Sequence, residues 1–484
     1  MITFATLRSG RRCIQLPVAA IFALLACAAM LACPRGMAQN RDAANDAGLK
    51  AAWVELGADS QAIARAIVAA DTCPAIRVDG TVQAMALRSG PSTSALRPTA
   101  SAPEDSKPSA FPVASCEYKL PAKATAASIG SRRLPLPKAS PQRIVILADT
   151  GCRMKRADNA WQACSDSDAW PLATIAETAA AMQPDLVLHI GDYHYRENAC
   201  PPDIGGCQGS PWGYGWDVWE ADLFTPAAAL LAAAPWIVVR GNHEECGRAG
   251  QGWFRFLDTQ DYDSKRSCDD PANDGLGNFS DPYAVALGSD TQIIVFDSSK
   301  AGRSALAATD PQFKKYQAQF LKATQLAARP GINSIFTDHH PILAFAPLAG
   351  SVLAPGNQAL LSVMQTVTPT AYYPAGVTTA LHGHVHDFQA ISFTSDHPAT
   401  FVSGNGGDNL DLNFPDPMPD HASPAPGALI DSISHTSSFG FMVMDRQSSG
   451  WAYKAYTSKG ALMTTCLQKG SKISCDKTGF LLPD

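Results

Sequence analysis

The stretch Leu186-Val187-Leu188-His189-Ile190-Gly191-Asp192-Tyr193-His194-Tyr195 runs from an apolar, β-prone segment through a glycine into side chains that can bind metal. A short apolar run of this kind reads as a buried strand, and Gly191 permits a sharp exit into a loop. The arrangement recurs four more times. Ile144-Val145-Ile146-Leu147 leads to Asp149-Thr150-Gly151, and Trp236-Ile237-Val238-Val239 leads to Gly241-Asn242-His243-Glu244. Ser334-Ile335-Phe336-Thr337-Asp338 leads to His339-His340-Pro341, and Thr378-Thr379-Ala380-Leu381 leads to His382-Gly383-His384-Val385-His386. One Asp after a strand is an ordinary turn residue. Five clusters in order, each at a strand end, point instead to one site, because functional groups in α/β sheets gather beyond the C-terminal ends of strands.

The donor types narrow the chemistry. Carboxylate, phenol, amide oxygen and imidazole, with no thiolate once the cysteines are paired, suit iron, manganese or zinc and do not resemble soft copper sites. The donors suffice for two ions with one carboxylate left to bridge. Two ions about 3.5–4 Å apart can hold both the attacking and the leaving oxygen of a phosphoryl group.

The series Asp149-x-Gly151, Gly191-Asp192-x-x-Tyr195, Gly241-Asn242-His243-Glu244, Phe336-x-x-His339 and Gly383-His384-x-His386 resembles the five blocks of the purple acid phosphatases, within the calcineurin-like metallophosphoesterase superfamily. The resemblance runs from about residue 143 to 445 and includes Phe401-Val402-Ser403-Gly404-Asn405-Gly406-Gly407. It implies an α/β fold of layered α+β type: a two-sheet β-sandwich flanked by helices. It implies a first metal, Fe(III), on Asp149, Asp192, Tyr195 and His386. A second, Fe(II), Zn or Mn, would take Asn242, His339 and His384, with Asp192 bridging. Other members of the superfamily have histidine where this chain has Gly151, and Tyr195 stands where the purple enzymes place a phenolate. Free phenol has a pKa of about 10, so a strong Lewis acid is needed to ionise it. Attack by a metal-bound hydroxide on a small-molecule phosphate monoester is the implied reaction. His243 would be general acid or phosphate ligand with Glu244 orienting it, and His340 and Arg153 would contact phosphate. His194 and His382 are surplus, structural or rim histidines. Phe336 departs from the family's valine, and His339 is chosen over His340 because it lies two residues before Pro341.

The rest of the chain fits an exported enzyme. Arg8, Arg11 and Arg12 precede an apolar run, Leu16 to Cys33, and Gly36-Met37-Ala38 offers a signal-peptidase site, so residues 1–38 read as a signal peptide. Leu24-Leu25-Ala26-Cys27 also resembles a lipoprotein box, and an uncleaved anchor is a third reading. No later run is long enough to span a bilayer. Ten of the 13 cysteines follow the signal as near neighbours: 73 and 116, 152 and 164, 200 and 207, 246 and 268, 466 and 475. Sequential disulfides are expected in an oxidising compartment. A formal charge of −6 gives no footprint for nucleic acid.

Residues 39–141 read as an N-terminal helix (Leu49, Trp53, Leu56, Ile63 and Ile67 on one face) plus a small β- and loop-rich module, with a strand-like run at Ala75–Val82. The catalytic domain then occupies 142–484 and ends in strands. Asp310 and Pro311 start a helix within it. The loops Asn198–Trp219 and Phe414–Gly427 are the expected pocket walls. Two other readings stay open: a phosphodiesterase or nucleotide hydrolase of the same superfamily with Mn or Zn, and a secreted binding protein on this fold without turnover.

Overall fold

The structure, a computed structural model, describes residues 48–97 and 106–482. The signal-peptide and lipid-anchor readings fall outside these residues. Two large sheets pack face to face. The first has eleven strands, and at its centre Arg143–Leu147, Leu186–His189 and Trp236–Val238 run parallel. The second has eight, with Thr291–Val295, Asn333–Thr337, Val377–His382 and Ala399–Ser403 parallel at its centre.

Strand alternation builds the layers. Ile144, Ile146, Leu188 and Ile237 of the first sheet meet Ile293, Ile335, Leu381 and Phe401 of the second in one core. The opposite faces are covered by helices. Val145, Leu147, Val187 and Val238 pack on Leu172–Ala181 and Ala228–Ala233. Ile294, Phe296, Phe336 and Ala380 pack on Pro311–Ala327 and Gln358–Val367. The expected sandwich flanked by helices is the observed one. The Pro311–Ala327 helix starts as expected, with the Asp310 carboxylate accepting the Gln312 N–H at 2.8 Å.

The N-terminal segment departs from expectation. Leu49–Leu56 and Ala62–Val68 are antiparallel strands and not a helix. Both faces of this pair are buried: Val54 and Leu56 face the inter-sheet core, and Trp53 and Ile67 face the helical layer. A strand buried on both faces is apolar nearly throughout, and its spacing then mimics a helical stripe. The segment is also joined to the catalytic sheet, since Leu49–Leu56 pairs in parallel with Trp236–Val238 through Glu55 and Trp236. The Ala75–Val82 run breaks at Asp79 and Gly80, both with positive φ, into a hairpin of Ala75–Val78 and Thr81–Ala84.

All five sequential disulfides are present. Among the described residues no helix is long and apolar enough to cross a membrane.

Candidate metal centre

The parallel strands of both sheets deliver their C-terminal ends to one seam. Asp149 follows the strand Arg143–Leu147, and Asp192 follows Leu186–His189. Both take left-handed backbone conformations (φ 57° and 54°), as does His384 (φ 70°). Such strain persists only where the surroundings enforce it, and it clusters at functional sites. Close backbone approach explains Gly241: a Cβ there would lie 2.1 Å from Asp192 Oδ1.

The seven candidate ligands form one continuous cluster. The Tyr195 hydroxyl lies 2.8 Å from Asp149 Oδ1, 2.9 Å from Asp192 Oδ2 and 3.1 Å from His386 Nε2. On the other side, Asn242 Oδ1 is 3.1 Å from His339 Nε2 and 2.9 Å from His384 Nδ1. Asp192 joins the halves, with Oδ2 3.2 Å from His339 Nε2. Ligand atoms of Asp192, His339 and His384 all lie within 4.8 Å of one another.

Backbone carbonyls orient two of the imidazoles. His339 Nδ1 donates to the Ile190 carbonyl at 2.8 Å, and His386 Nδ1 donates to the Asn409 carbonyl at 2.7 Å. Each leaves Nε2 facing the cluster, the outer hydrogen bond typical of metal-binding histidine. The charge balance also fits a cation. Burial works against protonating His339, yet Asp192 and Asp149 push it up to about 9. Burial likewise opposes protonation of His386, but Asp408 and Asp149 drive it to about 10. Three buried carboxylates, Asp149, Asp192 and Asp408, thus favour positive charge at this seam, and metal binding would compete with protons there. Burial, then Asp149 and Asp192, push the Tyr195 phenol well above its ordinary range.

The remaining site residues have other partners. The Glu244 carboxylate accepts the backbone N–H groups of Gly241 (3.1 Å), Asp192 (3.0 Å) and Tyr193 (2.9 Å). It therefore clamps two ligand loops together, and does not orient His243 as expected. That task falls to others: His243 Nδ1 donates to the His194 carbonyl at 2.8 Å and lies 3.1 Å from Glu197 Oε1. Arg248, ion-paired to Glu197, donates to His243 Nε2 at 2.6 Å. Burial and Arg248 push His243 down to about 3.

Arg153 lines the cleft, but it binds Asp408 through Nε (3.0 and 3.1 Å) and lies 4.8 Å over the Tyr195 ring. His340 sits against Ser298 Oγ at 3.1 Å and is pushed down to about 3, chiefly by burial. His384 lines the cleft and His340 does not. His382 is held by Tyr373 and Asp338, and His194 by the Gly213 carbonyl, so both are structural.

Above the cluster opens a cleft of ≈ 660 Å³. Its walls come from residues 153–160, the hairpin of Phe345–Leu348 and Val352–Pro355, and residues 409–411. The expected walls, Asn198–Trp219 and Phe414–Gly427, are not among them. Asp408, Glu197 and Arg248 were missed by sequence reading. Asp408 had a signal in the Gly404–Gly407 run, which packs against Asp149: a Cβ at Gly404 would lie 2.9 Å from Asp149 Oδ2. Glu197 and Arg248 had none, being charged loop residues in sequences rich in them.

The calcineurin-like phosphoesterase family model matches residues 142–388, half of the chain. This chain is a calcineurin-like phosphoesterase. As such it is a metal-dependent hydrolase of phosphoric esters. The fold of this phosphoesterase is similar to that of the purple acid phosphatase PPD1 from yellow lupin (Lupinus luteus) seeds. The TM-score is 0.52, with 15% identity, over 86% of this chain and 73% of that one. The structure of PhoD is similar over 89% of this chain and 92% of that one, at 10% identity and a TM-score of 0.49. No curated protein matches the phosphoesterase in sequence.

Proposed function

We propose that this chain is an exported, dinuclear phosphomonoesterase of the purple-acid-phosphatase type. The observation that carries the reading is the Tyr195 hydroxyl, within 3.1 Å of Asp149, Asp192 and His386 at once. Asp149, Asp192, Tyr195 and His386 would hold a hard trivalent ion, Fe(III). Asn242, His339 and His384 would hold Fe(II), Zn or Mn, with Asp192 shared. Bound, the ions supply a water of lowered pKa and neutralise phosphoryl oxygens.

The chain's own residues do the positioning. Glu244 keeps Asp192 and Asn242 in register, and Glu197 and Arg248 hold the His243 ring beside Asp192 at the cleft floor. His243 Nδ1–H is already given to the His194 carbonyl, and Arg248, which also lines the cleft, is engaged by Glu197 and His243, so both serve to fix the ring. Five disulfides support export.

The test is metal analysis with a visible spectrum on purified protein, followed by turnover of aryl phosphate mono- and diesters. Two ions per chain, a phenolate-to-iron band and preferred monoester turnover are expected. A colourless Zn or Mn protein that prefers diesters would overturn the purple assignment, and stoichiometric metal with no ester hydrolysed would overturn the enzyme.

A further inference from the structure

The cleft is far larger than a phosphate group, and its volume lies in the range that houses a whole organic ligand. Its sides differ in chemistry. One side carries Arg153, Lys155 and Arg248, and each is paired with a carboxylate. Arg153 binds Asp408 and Asp158, Lys155 lies 3.3 Å from Asp158, and Arg248 binds Glu197. Beyond the metal floor, this side has no surplus of positive charge for a second phosphate.

The rest of the wall adds apolar residues to a few polar ones, Arg303, Asn357, Gln358 and Asp411. The hairpin contributes Phe345, Pro347, Leu348, Ala354 and Pro355 to the cleft lining, and Leu410 joins it from a different loop. At the hairpin tip the cross-strand pair Leu348 and Val352 is 49% and 53% exposed, and Leu412, two residues beyond Leu410, is 56% exposed. Of these, Leu348 lines the cleft itself, Val352 is its cross-strand partner and Leu412 follows the lining residues 409–411. Apolar side chains exposed on the wall of a cleft with a polar floor offer the organic part of a ligand a surface to cover.

We infer that the substrate is a monophosphate ester of an apolar or aromatic alcohol, whose organic part packs on the Phe345–Pro355 hairpin. The inference rests on the phosphomonoesterase reading and specifies its substrate class. Arg303, in the lining of the same cleft, lies outside the ion pairs above and is the cation that a polyphosphate would use instead.

The experiment compares kcat/KM for hexyl phosphate, glycerol 3-phosphate and ATP on the metal-loaded protein. Wild type is set beside Leu348→Asp, Leu348→Ser, Leu410→Ser and a control, Leu467→Asp, at an exposed position of the strand Leu462–Lys469. The hexyl-to-glycerol ratio is expected to be about 10 or more in wild type, at the lower end for apolar pockets because this one is open. It should fall toward 1 in the hairpin and Leu410 variants and stay at the wild-type value in the control. Leu348→Ser keeps the test intact if the Asp variant is poorly folded. A ratio near 1 in wild type overturns the inference and leaves the phosphomonoesterase reading standing. A high ratio that survives all the wall variants overturns the hairpin assignment. Preference for ATP, lost in Arg303→Ala, overturns it in favour of a polyphosphate. No hydrolysis of any ester overturns the phosphomonoesterase reading itself.

Discussion

The two sheets contribute unequally to the seam between them. The eleven-stranded sheet delivers Asp149, Asp192, Tyr195 and Asn242, all oxygen donors, two of them buried carboxylates. The eight-stranded sheet delivers His339, His384 and His386, all nitrogen donors. The contrast teaches where the electrostatic cost lies. The imidazoles are comfortable when neutral, whereas buried carboxylates must be paired with positive charge. The carboxylates Asp149, Asp192 and Asp408 accordingly drive His339 and His386 upward despite burial. Bound ions would supply that positive charge and tie one sheet to the other.

Four measurements press on this contrast. The largest effect is expected from Asp192→Asn, since Asp192 touches both halves of the cluster. Both ions should be lost and kcat/KM should fall by at least about 10³-fold, more than the 10–100-fold typical of residues that only orient a ligand. Full metal content in this variant would show that the oxygen-donor sheet does not hold both ions.

Next is metal removal. Ions that bind only the folded state stabilise it by about 2.7 kcal/mol at a free concentration 100-fold above Kd. Chelation should therefore lower the melting temperature, and re-addition of metal should restore it. Melting that ignores chelator would mean that the seam holds without ions.

Tyr195→Phe removes the phenol from the oxygen side alone. The visible band should vanish and turnover should fall by about 10- to 100-fold, while the histidine half keeps its ion. Retention of the band would assign the colour elsewhere. The smallest effect is expected from Glu197→Gln, which weakens the hold on His243 without touching a candidate ligand. A drop of about tenfold in kcat with metal content unchanged is expected, and loss of metal would move Glu197 into the centre itself.

Much of the site was readable in advance because ligand type and strand-end position are local properties. Each of the seven ligand candidates lies within four residues of a short apolar run, or within a five-residue loop that such a run feeds. What escaped depends on longer-range packing. The strands Leu49–Leu56 and Ala62–Val68 looked helical because both their faces are covered, one by the second sheet and one by helices. Glu244 looked like a partner for its neighbour His243, yet its carboxylate turns to amides some 50 residues away in sequence. The Trp- and Gly-rich loop at 198–219 looked like a pocket wall, whereas an unremarked hairpin at 345–355 is one.

By itself, then, the sequence determined the donor chemistry, the order of the strands that carry it and the pairing of neighbouring cysteines, since these depend on residues close along the chain. Only the tertiary structure decided that the N-terminal strands extend the catalytic sheet, that Glu197 and Arg248 hold His243, and that the hairpin at 345–355 lines the cleft. Those relations join segments tens to hundreds of residues apart, and a contact of that span is settled by which surfaces bury each other.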